Sequence, residues 1–256
     1  MLTKQTQRII TNRIIILLLF LIPIISVAQR SGQLYAVCVG VSEYQLTSSN
    51  LKYPNEDAKE VYELLKLHTA QSNLRLLTDS RATAENVLAT LNEMFTKTRP
   101  EDIVIFFFGG HGMQGGFCAY DQQIRFRSLQ TVFKKTKARR KVIFADACYA
   151  GTLRTPDKSG SSNESHAGED VLLFLSSRSN QESIESYGLG NGIFTYFLLS
   201  GLQGAADANS DNIIAAKELF IFVNAKVRTY SQNQQTPVMW GKFDDNMPVL
   251  DWNKKR

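Results

Sequence analysis

A histidine and a cysteine stand where two apolar runs stop. Residues 103–108 (IVIFFF) lead into Gly109-Gly110-His111-Gly112, and residues 142–145 (VIFA) lead into Asp146-Ala147-Cys148, then Tyr149-Ala150-Gly151. Short apolar runs bounded by turn residues suit strands buried on both faces. In open α/β sheets the carboxyl edge of such strands is where ligands bind. Two neighbouring strands would each deliver one reactive side chain to that edge. The thiolate is the nucleophilic form of cysteine, and an imidazole within reach takes its proton or holds it as an ion pair. Acyl transfer also needs donors for an oxyanion, and the N–H groups of Gly112 and Cys148 are the candidates. The glycines around His111 let a substrate backbone approach closely.

Each residue alone has a plainer reading, since a free cysteine is most often a small buried hydrophobe and a lone histidine a hydrogen-bonded core residue. The joint placement argues otherwise. The other imidazoles are poorer bases by position: His68 closes an amphipathic segment and His166 lies in a polar stretch.

Positioning such a pair takes a sheet, and the flanking sequence supplies one. Residues 34–41 (LYAVCVGV), 74–77, 103–108, 142–145 and 171–175 read as strands. Residues 55–68 and 83–96 read as amphipathic helices, the second with Thr83 as N-cap. Further helices are expected around 128–137, at 192–201 and at 215–229, with short strands at 239–240 and 249–250. Strands alternating with helices predict an α/β fold, a mostly parallel sheet with helices on both faces. Residues 152–170 (TLRTPDKSGSSNESHAGED) are rich in Ser, Gly and charge and read as a flexible linker.

The N-terminus reads as a secretory signal peptide. Lys4, Arg8 and Arg13 form a basic segment, residues 14–27 an apolar one interrupted by Pro23, and Ser26-Val27-Ala28 a small-residue cleavage site. Cleavage after Ala28 leaves one domain, 29–256, in a secreted or periplasmic location; an uncleaved anchor is the alternative. The 29 basic and 24 acidic residues give +5; Lys4, Arg8 and Arg13 account for three of these, leaving +2. That balance has no electrostatic footprint for nucleic acid, and the mature chain is expected to need no membrane. Three cysteines, an odd number, leave at least one free thiol or an intermolecular bond. Cys38 is expected in the core, and wide spacing without a matching His pair argues against zinc.

Residues 207–218 (DANSDNIIAAKE) carry a separate signal. Asp207, Asn209, Asp211, the Ile213 carbonyl and Glu218 fall at positions 1, 3, 5, 7 and 12 of an EF-hand-type loop. Asn212 replaces the usual glycine, and Asn tolerates the left-handed conformation. Calcium is the ligand this spacing would take; an Asp-rich helix start is the structural alternative. The chemistry at His111 and Cys148 requires no cofactor.

The constellation resembles the caspase-like cysteine peptidases, in particular the metacaspase and bacterial caspase-homologue branch. The resemblance runs through YAVCVGVSEY at 35–44, NEDA at 55–58, FFGGHG at 107–112, DACYAG at 146–151, LSSRSNQESIE at 175–185, NGIFTYFLLSGLQGAAD at 191–207 and QTP at 235–237. It implies the caspase fold, a His111–Cys148 dyad and hydrolysis of peptide bonds through a thioester. Animal caspases have Gln-Ala-Cys and cleave after aspartate, whereas this chain has Asp-Ala-Cys, as metacaspases that cleave after Arg or Lys do. A physical argument runs the same way. Residues two apart on a strand face one side, so Asp146 would project alongside Cys148, where a carboxylate pairs with a cationic substrate side chain and repels an acidic one. The resemblance makes Asp57 the second acid of the pocket; its plainer reading is a first-turn acid favoured by the helix dipole. Tyr149-Ala150 departs from the family's usual His-Ser. The linker carries Arg154 and Lys158, candidate self-cleavage sites if specificity is for basic residues. The clostripain or gingipain type is the neighbouring enzyme reading. The alternative from another class is a non-catalytic caspase-fold binding module, calcium-dependent if the 207–218 loop binds the ion. The oligomeric state is not legible in the sequence.

Overall fold

The strand runs alternate strictly between two cores. In β1 (Leu34–Gly40), Val37 and Val39 enter one core while Leu34, Ala36 and Cys38 enter the other. The computed structural model describes residues 32–147, 171–177, 185–186, 188–241 and 243–254. After β1 come α1 (Pro54–Lys66), β2 (Leu74–Thr78), α2 (Ala84–Phe95) and β3 (Ile103–Gly110). A small antiparallel sheet follows, β4 (Gly112–Met113), β5 (Gly116–Cys118) and β6 (Gln123–Arg125), then α3 (Phe126–Lys135) and β7 (Arg140–Ala147). The chain continues with β8 (Leu172–Leu175), β9 (Glu185–Ser186), β10 (Asn191–Gly192), α4 (Ile193–Ser200), β11 (Ile213–Ala215), α5 (Ala216–Tyr230), β12 (Val238–Trp240) and β13 (Pro248–Asp251).

The central sheet has six strands in the order β12-β8-β7-β3-β1-β2, parallel except for β12 at the edge. Successive side chains of a strand point to opposite faces, so each face needs its own cover. On one face Val104, Phe106 and Phe108 of β3 pack with Val87, Leu91 and Phe95 of α2 and Leu129 and Phe133 of α3. On the other, Ile105 and Phe107 pack with Val61 and Leu65 of α1, Phe194 and Leu198 of α4, and Leu219 and Val223 of α5. A mostly parallel sheet with helices on both faces is thus observed as expected.

Helix boundaries follow local chemistry. Thr83 caps α2, its side chain accepting the Asn86 N–H at 3.2 Å. Pro54 opens α1, where a missing N–H costs nothing. At the far end of β8 the ladder is completed by a side chain. The Ser176 N–H donates to the Ala145 carbonyl, while its hydroxyl accepts the Ala147 N–H at 3.1 Å and lies 3.2 Å from the Ala147 carbonyl. Ser177 adds a hydroxyl 3.4 Å from that same carbonyl, and both serines are fully buried. The last described peptide of β7 is therefore held from both sides.

Candidate active site

His111 leaves β3 through Gly110, whose φ of +148° is one that side chains rarely adopt. A Cβ on Gly110 would also sit 2.8 Å from the Tyr44 hydroxyl oxygen. That oxygen accepts the backbone N–H of His111 at 2.7 Å, and the Tyr44 and His111 rings lie 5.1 Å apart. The imidazole Nε2 lies 2.7 Å from the Ser49 carbonyl oxygen. A carbonyl only accepts, so Nε2 carries the proton and Nδ1 is the basic nitrogen of the neutral ring. Tyr44 and Ser49 both belong to the segment between β1 and α1, which thereby fixes the orientation and the tautomer of His111. Neither role has a sequence signature of its own, because Ser49 acts through its main-chain carbonyl and the Tyr44 hydroxyl meets a main-chain N–H remote in sequence.

Gly112 follows in β4. The Cys118 N–H donates to the His111 carbonyl at 2.9 Å, which makes Gly112 and Phe117 a non-hydrogen-bonded pair of the β4–β5 ladder. The Gly112 N–H is consequently not used by that ladder, as an oxyanion donor requires.

Asp146 and Asp57 come together, as the resemblance implies. Asp146 is the residue of β7 paired in register with Gly109 of β3, and it lies on the face covered by α1 and α4. Asp57 comes from the first turn of α1. Both are nearly buried, at 7 % and 2 % exposure, which rules out the solvated first-turn acid as a description of Asp57. Asp146 Oδ2 accepts the Thr195 N–H at 3.1 Å and its hydroxyl at 2.7 Å. Asp57 accepts the Asn191 side-chain amide at 2.8 Å and the Gly192 N–H at 3.2 Å. The Asn191 amide also reaches Glu60 at 2.9 Å. Both carboxylates thus sit at the N-terminal end of α4, where free N–H groups and the helix dipole favour anions. Gly192 is required between them, because a Cβ there would collide with Asp146 Oδ2 and stand 3.2 Å from Asp57 Oδ2.

The helix end does not offset the crowding completely. Burial first, and then the Asp146 charge, push the Asp57 carboxyl up to about 8, against the lowering effect of the Asn191 and Gly192 bonds. Two like charges with little access to water favour a shared proton, or a cation, over full ionisation.

The remaining sequence candidates divide by location. Cys148, Arg154, Lys158 and the rest of the 152–170 linker lie outside the described residues, as does the 1–28 segment. Cys38 is fully buried, as expected, and burial pushes its thiol well above the ordinary cysteine range. Cys118 is half-buried and its thiol is raised for the same reason. In the 207–218 loop the backbone has the positive φ the spacing calls for at Asn212, +62°, and a second one at Ser210, +60°. Its carboxylates are engaged with the loop's own backbone. Asp207 accepts the Asp211 and Asn212 N–H groups, and Glu218 accepts those of Ala208 and Ala215. Among the described residues no three His, Cys, Asp or Glu side chains gather to hold a metal. The arrangement seen is that of a self-satisfied loop at the start of α5.

Residues 33–247 match the caspase domain. The chain belongs to the caspase-domain family. It is therefore a member of a family of cysteine peptidases, whose substrates are polypeptides. No curated protein matches the caspase-domain chain closely enough to add to this. Among solved structures, protein GSU0716 of Geobacter sulfurreducens is similar at TM-score 0.64 and 16 % identity, over 87 % of this chain and 99 % of that one. Caspase-1 of Spodoptera frugiperda is similar at TM-score 0.64 and 16 % identity, over 86 % and 91 %. At that identity the likeness is one of fold. The caspase domain here accordingly has the expected architecture, with His111, Asp146 and Asp57 at the carboxyl edge of its sheet.

Proposed function

We propose that this caspase domain is a cysteine endopeptidase that cleaves after Arg or Lys. Cys148 attacks the scissile carbonyl, and a thioester forms as the amine leaves. His111 takes the thiol proton at Nδ1 and delivers it to the leaving amine. Water then hydrolyses the thioester, with His111 again moving the proton. The N–H groups of Gly112 and Cys148 hold the oxyanion. The ladder supports this pairing, since Gly110 and Ala147, which precede His111 and Cys148 in the sequence, are in register on neighbouring strands. The observation that carries the specificity is the buried carboxylate pair Asp57–Asp146, which a guanidinium or ammonium would neutralise and an aspartate would not.

The protein is read as exported, with a polypeptide substrate and no nucleic-acid partner. Calcium at 207–218 and self-cleavage at Arg154 or Lys158 are accessory readings of the sequence spacing and of the basic preference.

The test uses purified residues 29–256 with matched fluorogenic peptides ending in Arg, Lys or Asp, with and without calcium, beside Cys148→Ala. Cleavage after Arg or Lys, absent in Cys148→Ala, is expected. Cleavage only after Asp would keep the dyad and refute the acidic pocket. No cleavage under any condition, together with iodoacetamide labelling of Cys148 no faster than of Cys118, would favour the non-catalytic binding module.

A further inference from the structure

Asp79 lies outside every feature described so far, and its geometry is unusual. It follows β2 with φ +48°, a conformation that costs a residue with a side chain free energy unless its surroundings hold it there. Its Oδ1 accepts the N–H groups of Ser42 and Glu43, both at 2.9 Å, and its Oδ2 accepts the Asn55 side-chain amide at 3.2 Å. One carboxylate thus joins the end of β2, the segment after β1 and the first turn of α1.

The segment it holds is the one that orients His111. Ser42 is the anchor. Its N–H is on Asp79, its carbonyl accepts the Leu51 N–H at 2.8 Å, and its hydroxyl accepts the Asn55 N–H at 3.0 Å. Between these ties the chain bulges outward, with Leu46 74 % exposed, and returns through Asn50, whose side chain accepts the Tyr44 N–H at 2.9 Å. Within that bulge lie Tyr44 and Ser49, the two partners of His111, each at 2.7 Å. The bulge lacks regular secondary structure beyond a single short turn at Thr47–Ser49, and besides the buried Tyr44 and the Gln45 N–H on the Tyr120 carbonyl at 3.2 Å, the tethers at its root set where the Ser49 carbonyl sits.

We propose that Asp79 is a positioning residue for the catalytic histidine. By clamping Ser42, Glu43 and Asn55, it holds the Ser49 carbonyl against Nε2 and so keeps the basic lone pair of His111 on Nδ1. Asp79 touches no reacting atom. It acts on the turnover step through the tautomer and aim of the ring, and substrate capture by the Asp57–Asp146 pair is left alone. The effect on turnover rests on the peptidase reading above; the effect on the ring does not.

The experiment therefore has two readouts on residues 29–256. The first is the tautomer of His111 by long-range proton–nitrogen NMR of the histidine-labelled protein, assigned with His111→Gln. The expected signal is an Nε2–H ring in the wild type and a mixed or exchanging ring in Asp79→Ala. The second is steady-state cleavage of the Arg peptide, where Asp79→Ala is expected to lower kcat by about 30-fold with KM changed less than about twofold, the pattern of lost orientation.

Two comparisons separate positioning from loss of stability. Asp79→Asn keeps an oxygen for Ser42 and Glu43 and suits the left-handed backbone, but sets amide against amide at Asn55; the swap Asp79→Asn with Asn55→Asp restores the complement and should recover both readouts. Val87→Ala, a core change under α2, should lower the melting temperature and leave the His111 tautomer as in the wild type. An unchanged tautomer in Asp79→Ala, no recovery in the swap, or an equal tautomer change in Val87→Ala would overturn the proposal. A shifted tautomer in a protein without any peptidase activity would uphold the clamp and sink the peptidase reading instead.

Discussion

Asp79 and Asp57 are bound alike, each by an asparagine amide and by backbone N–H of a remote segment, two such groups at Asp79 and one at Asp57, yet they sit in opposite electrostatic company. Asp79 holds Ser42, Glu43 and Asn55, a partner set made only of donors. Asp57 holds Asn191 and Gly192 and also faces Asp146 and Glu60, so its donors compete with two further acids. A carboxylate whose surroundings are all donors fixes a shape. A carboxylate buried beside another acid favours a shared proton or a positive charge brought to it, and on the proposed function a substrate side chain brings that charge. The contrast teaches that the number of hydrogen bonds at an acid does not reveal its role; the sign of what lies behind them does.

Asp146→Asn breaks the contrast most sharply. Its amide oxygen still accepts from Thr195, while the like charge beside Asp57 is gone. Cleavage after Arg should fall about 100-fold in kcat/KM, corresponding to ~2.7 kcal/mol for one charge-assisted pair. The same variant should melt at a higher temperature than the wild type near pH 8, a gain in stability from loss of function. Equal cleavage with unchanged melting would show that the pair is structural.

Tyr44→Phe probes the donor-only side. It removes the acceptor of the His111 N–H and should lower kcat about 10-fold, with KM for the Arg peptide nearly constant. A change in KM alone would place Tyr44 in substrate binding.

The smallest effect is the dependence of stability on pH. Folded Asp57 keeps its proton up to about 8, whereas an ordinary aspartate releases it near 3.8. The folded state therefore binds the extra proton between these values, and raising the pH through that window lowers stability. The melting temperature should be higher near pH 5 than near pH 8, and Asp146→Asn should flatten the slope. A slope of opposite sign would mean that the two acids are already neutralised by a cation in the protein itself.

Much of this was legible beforehand because burial on both faces leaves an apolar run and a helix leaves a period. The strands of the central sheet and the helices packed on it appear within a few residues of the expected positions, with β3 and β7 each extending two residues further toward the site. The β4–β5–β6 sheet was missed, since strands of two or three residues among glycines carry no periodicity. Asp57 could not be separated from a first-turn helix acid by type or spacing, because what distinguishes it is the burial supplied by residues 191–195. Tyr44 and Ser49 escaped for a different reason: Ser49 acts through its main-chain carbonyl whatever its side chain, and the Tyr44 hydroxyl reaches a main-chain N–H that any residue would offer, so the path of the chain and not a recognisable pair of side chains makes both contacts.

The first turn of α1 carries Asn55 on the Asp79 clamp and Asp57 in the acidic pair. On the proposed function, turnover and substrate choice therefore share one turn of helix. Changes to that turn would disturb both traits together, while changes at Asp146, Gly192 or Thr195 touch the pocket alone. A lineage, or an engineer, seeking a new cleavage preference in this scaffold has an open route through β7 and α4 and a closed one through α1.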